Sequence, residues 1–231
     1  MRAFAVVALY LASAAGLCAL GVWQLERRTW KLDVMDRVEQ RIHAPPVSAP
    51  GPAAWPSISA AGHEYLHVRV SGHFLNDRGA LVQAVTERGG GYWLLVPFQT
   101  SEGFTALVNR GFVPPDLRDP ARRSAGEIEG ETTVSGLLRM SEPKGAFLRS
   151  NDPEAGRWYS RDVPAIATAQ GLGEVAPYFI DADARPNPGG FPVGGLTIVH
   201  FPNNHLVYAL TWFALAAMAA SGAIVIWARR A

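Results

Sequence analysis

Two long apolar segments dominate the hydrophobic pattern of the 231-residue chain, one near each end. They cover residues 3–25 and 206–228, and neither contains Asp, Glu, Lys or Arg. A helix rises about 1.5 Å per residue, so each segment is about 34 Å long and can cross the roughly 30 Å hydrocarbon core of a bilayer. The pattern therefore predicts two transmembrane helices that flank one domain, residues 26–204.

The first apolar segment has a second interpretation, a cleaved signal peptide. Arg2 would then be the basic start, and residues 12–14 (ASA) would be the small-residue cleavage site. The apolar run continues for eleven residues beyond Ala14, which a secretory signal does not require. The length of the run favours an uncleaved anchor.

The region between the two segments carries the period-2 alternation of β-strands. Leu66, Val68 and Val70 alternate with polar residues, and similar short runs recur at residues 81–86, 92–98, 105–109, 132–138, 178–181 and 196–201. Glycine-rich residues 89–91 and residues 101–103 are predicted hairpin loops. Asp162 caps a predicted short helix over residues 164–170, which ends at Gly171.

This pattern predicts an α+β membrane protein with a β-rich, mostly antiparallel, partly closed sheet and one or two short helices. Residues 26–64 are predicted to hold an extension of the first helix over residues 32–40 and then a linker, which five prolines over residues 45–56 keep extended.

Composition limits the possible functions of the domain. Residues 26–204 hold 18 basic and 20 acidic residues, so there is no excess of positive charge for nucleic-acid binding. Cys18 is the only cysteine, which excludes an intrachain disulfide or a cysteine-rich metal site. Arginine far outnumbers lysine, and alanine, glycine and proline are abundant, as in GC-rich bacterial proteins.

The basic residues next to the spans give a conflicting signal for orientation. Arg2, Arg229 and Arg230 favour cytoplasmic termini under the positive-inside rule. Arg27, Arg28 and Lys31 follow the first span and favour the opposite arrangement. Long loops translocate largely regardless of charge. We therefore predict a bacterial inner-membrane protein with both termini in the cytoplasm and a periplasmic domain.

Common catalytic motifs are absent from the sequence, which predicts a protein that is not an enzyme. Asp181 and Asp183 are interpreted as loop charges, and residues 151–153 (NDP) as an Asx-type turn. Arg110 has two interpretations. Its guanidinium could bind a carboxylate such as a haem propionate, or it could be paired inside the domain.

The start of the second apolar segment carries the main candidate site. His205 opens this segment, and on a helix Tyr208 and Trp212 share its face, so one imidazole ligand for haem iron would lie beside two flat aromatic rings. The alternative is an interfacial aromatic belt, to which Trp23 and Trp30 of the first span would also belong. Arg27 and Arg28 are either headgroup anchors or partners for anionic propionates.

Five segments of the chain, in this order, are similar to the surfeit-locus (Surf/Shy) family of cytochrome c oxidase assembly proteins. They are residues 20–31 (LGVWQLERRTWK), 89–97 (GGGYWLLVP), 107–114 (LVNRGFVP), 151–162 (with NDP and RWYSRD) and 204–212 (NHLVYALTW).

This resemblance implies a role in maturing the haem–copper oxidase, by binding haem a and delivering it to the catalytic subunit. It makes His205 the candidate iron ligand. Around it, the candidate haem-binding residues from the sequence pattern are Tyr208, Trp212, Trp23, Arg27 and Arg28. A second hypothesis is a cofactor-free membrane scaffold that holds the catalytic subunit, or a haem a synthase, during assembly.

Overall fold

The computed structural model describes residues 2–146, 148–199 and 201–229. Phe147, His200 and Arg230 lie outside the described residues, so the strand predicted through His200 and the orientation signal from Arg230 are not tested at those positions. The chain forms two compact units, one of Met1–Arg37 with Val199–Ala231 and one of Val38–Ile198.

The described residues form four α-helices and seven β-strands. The helices are α1 (Arg2–His43), α2 (Ala60–His63), α3 (Val163–Ala169) and α4 (His205–Ala228). The strands are β1 (Val47–Ser48), β2 (His67–Phe74), β3 (Ala80–Thr86), β4 (Gly89–Thr100), β5 (Thr105–Val113), β6 (Thr132–Met140) and β7 (Val175–Ala182).

Helices α1 and α4 are both long enough and apolar enough to cross a membrane. Most of their apolar side chains are exposed, unlike those of a core helix in a water-soluble domain. Helix α1 has 42 residues and is therefore about 63 Å long, roughly twice the hydrocarbon thickness. It continues through residues 32–40 up to His43.

Within the first unit, α1 and α4 run antiparallel and pack through small residues. Ala209, Ala216 and Ala223 of α4 are buried and lie seven residues apart, the spacing of a left-handed helix pair. A Cβ atom on Gly21 would lie 2.5 Å from the Phe213 ring, and one on Gly222 would lie 2.7 Å from the Tyr10 ring. Glycine therefore permits the close approach of the helices at both positions.

The second unit contains a closed β-barrel. The sheet has the order β1-β2-β6-β7-β5-β4-β3, and an additional pairing between β2 and β4 closes it. Most neighbours are antiparallel, but β5 and β7 are parallel, as are β1 and β2, so the sheet is mixed. The predicted β-rich, mostly antiparallel sheet with one terminal helix on each side in the sequence is confirmed. The sheet is fully closed by the pairing of β2 with β4, whereas the prediction was a partly closed sheet.

Alternate residues of the central strands enter two different cores. Val108 and Ile180 point into the barrel, where they join Phe98, Leu138 and Tyr178. Their neighbours Leu107 and Phe179 lie on the outer face and pack against Val163 and Ile166 of α3. Both faces of these strands are thus buried, which explains why their sequences read as continuous apolar runs.

Helix α3 forms as predicted. The Asp162 side chain accepts a hydrogen bond from the backbone N–H of Ala165, and proline occupies the first turn. Gly171 follows with a φ of 62°, a left-handed conformation that terminates helices.

Four local predictions were wrong. The proline-rich linker is not extended throughout, because Pro52–Ser57 form a 3₁₀-helix. Gly89, Gly90 and Gly91 are not a hairpin loop but the first residues of β4, paired with β3. A Cβ on Gly91 would lie 2.5 Å from the Phe112 ring, so glycine here allows close packing rather than a turn. Residues 196–199 and 201 are irregular rather than a strand. Asp181 lies in β7, not in a loop.

Candidate functional site

The first candidate site is where α4 begins. His205 is the first residue of α4, and its Nδ1 lies 2.7 Å from the Oε1 of Gln24 on α1. Because an amide oxygen only accepts hydrogen bonds, this contact is a hydrogen bond when Nδ1 carries the proton and donates it. The other ring nitrogen, Nε2, then keeps its lone pair.

The structure brings only some of the predicted residues to the facing sides of this helix pair. Gln24 shares its side of α1 with the half-buried Arg28, and His205 shares its side of α4 with the half-buried Trp212. Tyr208 and Trp23 are 55% and 50% exposed, and lie at the outer surface of the pair. The guanidinium of Arg27 stacks 4.3 Å from the centre of the Trp30 ring.

Gln24 is the residue that the sequence analysis missed. An amide inside an otherwise apolar and aromatic segment is costly at membrane depth unless it has a partner. That cost is the signal that could have identified Gln24, because a polar residue on one span predicts a polar partner on the other.

The donor set fits a haem group better than a bare metal ion. A histidine that ligates metal usually donates its other ring N–H to an oxygen acceptor, as His205 does to Gln24. Among the described residues there is no cluster of three or more His, Cys, Asp or Glu side chains that could hold a metal ion. A single imidazole suits haem, because the porphyrin supplies the other in-plane ligands.

The other described histidines already have structural roles or lie at the surface. His67 contacts the Ala44 carbonyl through Nδ1 and the Ser135 hydroxyl through Nε2, at 2.8 and 3.1 Å. His43 pairs with Glu39 on the same helix, and the exposed His73 lies on β2.

The second candidate site is a buried polar cluster around Asp181 in the barrel unit. Its carboxylate is 3% exposed and accepts five hydrogen bonds. The donors are Asn109 at 2.7 Å, Arg139 at 3.0 Å, Thr197 at 3.0 Å, and Arg161 at 3.2 and 3.3 Å. A cavity of about 190 Å³ lies against this cluster.

The arrangement around Asp181 suits an anchor rather than a general base. Its five hydrogen bonds, from four donor side chains, occupy the lone pairs that would otherwise take a proton from a substrate. Burial alone would lower the pKa of Arg139, but Asp181 and Glu64 more than offset that effect and the pKa is raised. The cluster joins β5, β6 and β7 to the segments that contain Arg161 and Thr197.

Arg110 is held inside the domain, as the second of its two interpretations predicted. Its Nη2 donates to the carbonyl of Gly126 and to Oδ1 of Asn187, both at 2.7 Å, and its guanidinium covers the Phe74 ring. Burial lowers its pKa to about 10, although Glu127 opposes this shift.

A turn forms next to the predicted position, over residues 153–156. The Asp152 carboxylate accepts a hydrogen bond from the backbone N–H of Ala155, three residues on, at 3.1 Å. That bond, together with Arg157, lowers the pKa of the Asp152 carboxyl.

Comparison with known proteins decides the family. A sequence model of the SURF1 family matches residues 11–217, most of the chain. The chain belongs to the SURF1 family. It is 35% identical to human Surfeit locus protein 1 over 217 residues, which cover 86% of this chain and 69% of the human protein. It is 36% identical to the rat Surfeit locus protein 1 and 35% identical to a SURF1-like protein of Monosiga brevicollis, over 86% of this chain and 68% and 78% of those proteins.

Four of the five family-like segments of this SURF1-family chain meet in pairs. Residues 20–31 and 204–212 meet at the hydrogen bond between Gln24 and His205. Residues 107–114 and 151–162 both contribute to the Asp181 cluster, through Asn109 and Arg161. Membership of the family supports a role in cytochrome c oxidase assembly that is non-catalytic, and the two apolar helices support a membrane protein.

Proposed function

We propose that this SURF1-family protein binds haem a through His205 and delivers it to the catalytic subunit of cytochrome c oxidase. The observation that carries the proposal is the hydrogen bond between Nδ1 of His205 and Gln24, 2.7 Å long, which leaves the Nε2 lone pair available to iron. Haem a is here the cargo of the protein. Trp212 and Arg28, half-buried beside this pair, would contact the macrocycle and a propionate.

The location that fits this role is the bacterial inner membrane, with both termini in the cytoplasm and the barrel in the periplasm. Tyr208, Trp23 and Arg27 then lie at the headgroup level, where exposed aromatic and basic side chains are favourable.

The test is the absorption spectrum of the full-length protein purified from cells that make haem a. The substitution His205→Ala should remove the haem bands, because the proposed iron ligand, the His205 imidazole, is then absent. Gln24→Leu should reduce haem content at least several-fold, because Nδ1 loses the acceptor that fixes the tautomer and the ring orientation. His73→Ala, on the exposed face of β2, is the matched control and should retain full haem content.

A thermal unfolding transition of each variant separates lost binding from lost folding. Haem content that is unchanged in a folded His205→Ala protein contradicts the proposal.

The same hydrogen bond also supports a second candidate function, a scaffold without a cofactor. A histidine–glutamine pair between two membrane helices stabilises their association whether or not haem is present. The protein would then hold the catalytic subunit, or a haem a synthase, during assembly. A protein that contains no haem, and whose His205→Ala variant still supports oxidase assembly in cells, would favour this function.

A further inference from the structure

A basic groove lies on the barrel unit beside β3. It has a volume of about 430 Å³ and contains four arginines, Arg118, Arg123, Arg149 and Arg157. We call it the arginine groove. Its lining comes from three parts of the unit: Arg118, Pro120 and Arg123, then Arg149 with residues 156–159, and the start of β3 with Tyr92 of β4. Among the described residues that line it there is no Asp or Glu.

Three of the four guanidinium groups lack a carboxylate partner within 4.0 Å among the described residues. Arg118 lies over the Tyr92 ring, 5.5 Å from its centre. Arg149 lies over the Tyr159 ring at 5.4 Å and donates to Oε1 of Gln83. Within the described part of the chain, Arg123 donates to the carbonyl oxygens of Leu117 and Arg118. The fourth, Arg157, is paired with Asp152 at 2.5 Å.

Neighbouring side chains and carbonyl groups orient these arginines, but their positive charge remains available to bind an anion. A guanidinium that stacks on an aromatic ring uses its flat face, so its N–H edges remain free for an anion. Glu127 and Asp119 act on Arg123 from outside the groove lining, but they do not outweigh the burial that lowers its pKa. The unit, Val38–Ile198, holds 17 acidic and 14 basic residues, so the groove is a local concentration of positive charge rather than part of a basic surface.

The shape of the groove favours an extended peptide over a single small anion. Strand β3 pairs along its whole length with β4, whereas on its other side the described residues make a single bridge, between Val82 and Trp158. The backbone N–H of Gln83 is bonded there to the Trp158 carbonyl. The rest of this strand edge can accept main-chain hydrogen bonds from an added strand. Arg118 and Arg123 come from one lining segment, and Arg149 and Arg157 come from another, so together they can contact successive side chains of one extended chain.

We propose that the arginine groove is a docking site for an extended acidic segment of a protein partner. Aspartate or glutamate side chains of that segment bind the N–H edges of Arg118 and Arg149, and its backbone lies along β3. This inference is independent of haem ligation by His205.

The proposal can be tested with full-length protein in a neutral detergent and a fluorescein-labelled hexaglutamate peptide, with binding followed by fluorescence anisotropy. The double substitution Arg118→Glu with Arg149→Glu should weaken binding at least tenfold. The matched control is Arg69→Glu with Arg88→Glu, two exposed arginines outside the groove that undergo the same change of charge. The control should bind hexaglutamate nearly as well as the unmodified protein.

Four outcomes would overturn the proposal. They are hexaglutamate binding that survives the groove substitutions in a folded protein, an equal loss in the control, equal binding of hexaglutamine, and displacement of the peptide by soluble short-chain phosphatidylglycerol at lower concentration than by unlabelled hexaglutamate. The last outcome would assign the groove to lipid headgroups. Substitution of His205 should leave peptide binding unchanged, which separates this test from that of haem binding.

Discussion

The side chain of Asp181 shows how one residue can hold several parts of the barrel unit together. Its carboxylate is 3% exposed and faces Arg139 and Arg161, whose side chains are only 13% and 14% exposed. Buried charges are stable only while each keeps a partner, so the removal of one affects all of them.

We expect Asp181→Asn to destabilise the protein by about 3 kcal/mol, because two buried guanidiniums lose a shared anion while Glu64 and Glu142 compensate only in part. For a unit of this size the melting temperature should fall by roughly 6–12 °C. Differential scanning fluorimetry of the full-length protein in detergent measures this melting temperature.

The matched control for this prediction is Asp183→Asn, two residues away. Its carboxylate is 38% exposed, and its ion pair with Arg185 spans 3.7 Å. Pairs of this kind contribute less than about 1 kcal/mol. Equal shifts in melting temperature for the two variants would contradict the prediction that the buried cluster stabilises the protein more than the exposed ion pair does.

At the scale of the element, the contact between α1 and α4 depends on two glycines. Gly21 lies under the Phe213 ring and Gly222 under the Tyr10 ring, with no space for a further carbon atom at either place. Membrane helices associate through close packing and interhelical hydrogen bonds rather than through a hydrophobic effect, so this complementarity is decisive.

We expect Gly21→Ala to weaken the helix pair by about 2 kcal/mol, since its Cβ would lie 2.5 Å from the Phe213 ring and force that ring to move. Gly16→Ala is the control, because nothing lies within 4 Å of its Cβ position. Unfolding of the full-length protein in mixed micelles measures both effects.

A double variant provides the stronger test of this contact. Phe213→Ala removes the ring that the new methyl group would strike, so Gly21→Ala should cost much less in that background. Additive effects of the two substitutions would contradict the proposed packing.

At the scale of the whole molecule, the orientation prediction concerns the side of the membrane that carries the barrel. Two spanning helices place both termini on one side of the membrane and the residues between them on the other. The long intervening segment makes the basic residues after the first span a weak guide, since such segments translocate largely regardless of charge.

We expect a periplasmic barrel, and cysteine labelling can test this in a bacterial host after Cys18→Ala. In Val85→Cys the new thiol replaces a residue that is 88% exposed in the barrel unit, so a membrane-impermeant maleimide should label it in spheroplasts. A cysteine added after Ala231 should react only once the membrane is permeabilised. The reverse pattern would place the barrel in the cytoplasm.

Features that repeat locally could be predicted from the sequence. The two apolar segments, the alternating residues of β2 and the capped helix α3 each depend on neighbours within a few positions, so their periods and caps are visible along the chain. His205 was found in the same way, because an ionisable residue at the start of an apolar segment stands out locally.

The partners of those residues were decided only by the tertiary structure. His205 meets Gln24 across 181 positions, and Asn109 meets Asp181 across 72 positions. Glycines 89–91 belong to a strand because their backbone pairs with β3, and Gly91 also lies against the Phe112 ring; no local pattern encodes either contact. The arginine groove likewise combines segments that are separate in sequence. Local patterns determine which elements form, whereas burial and charge pairing between distant elements determine which side chains make a site.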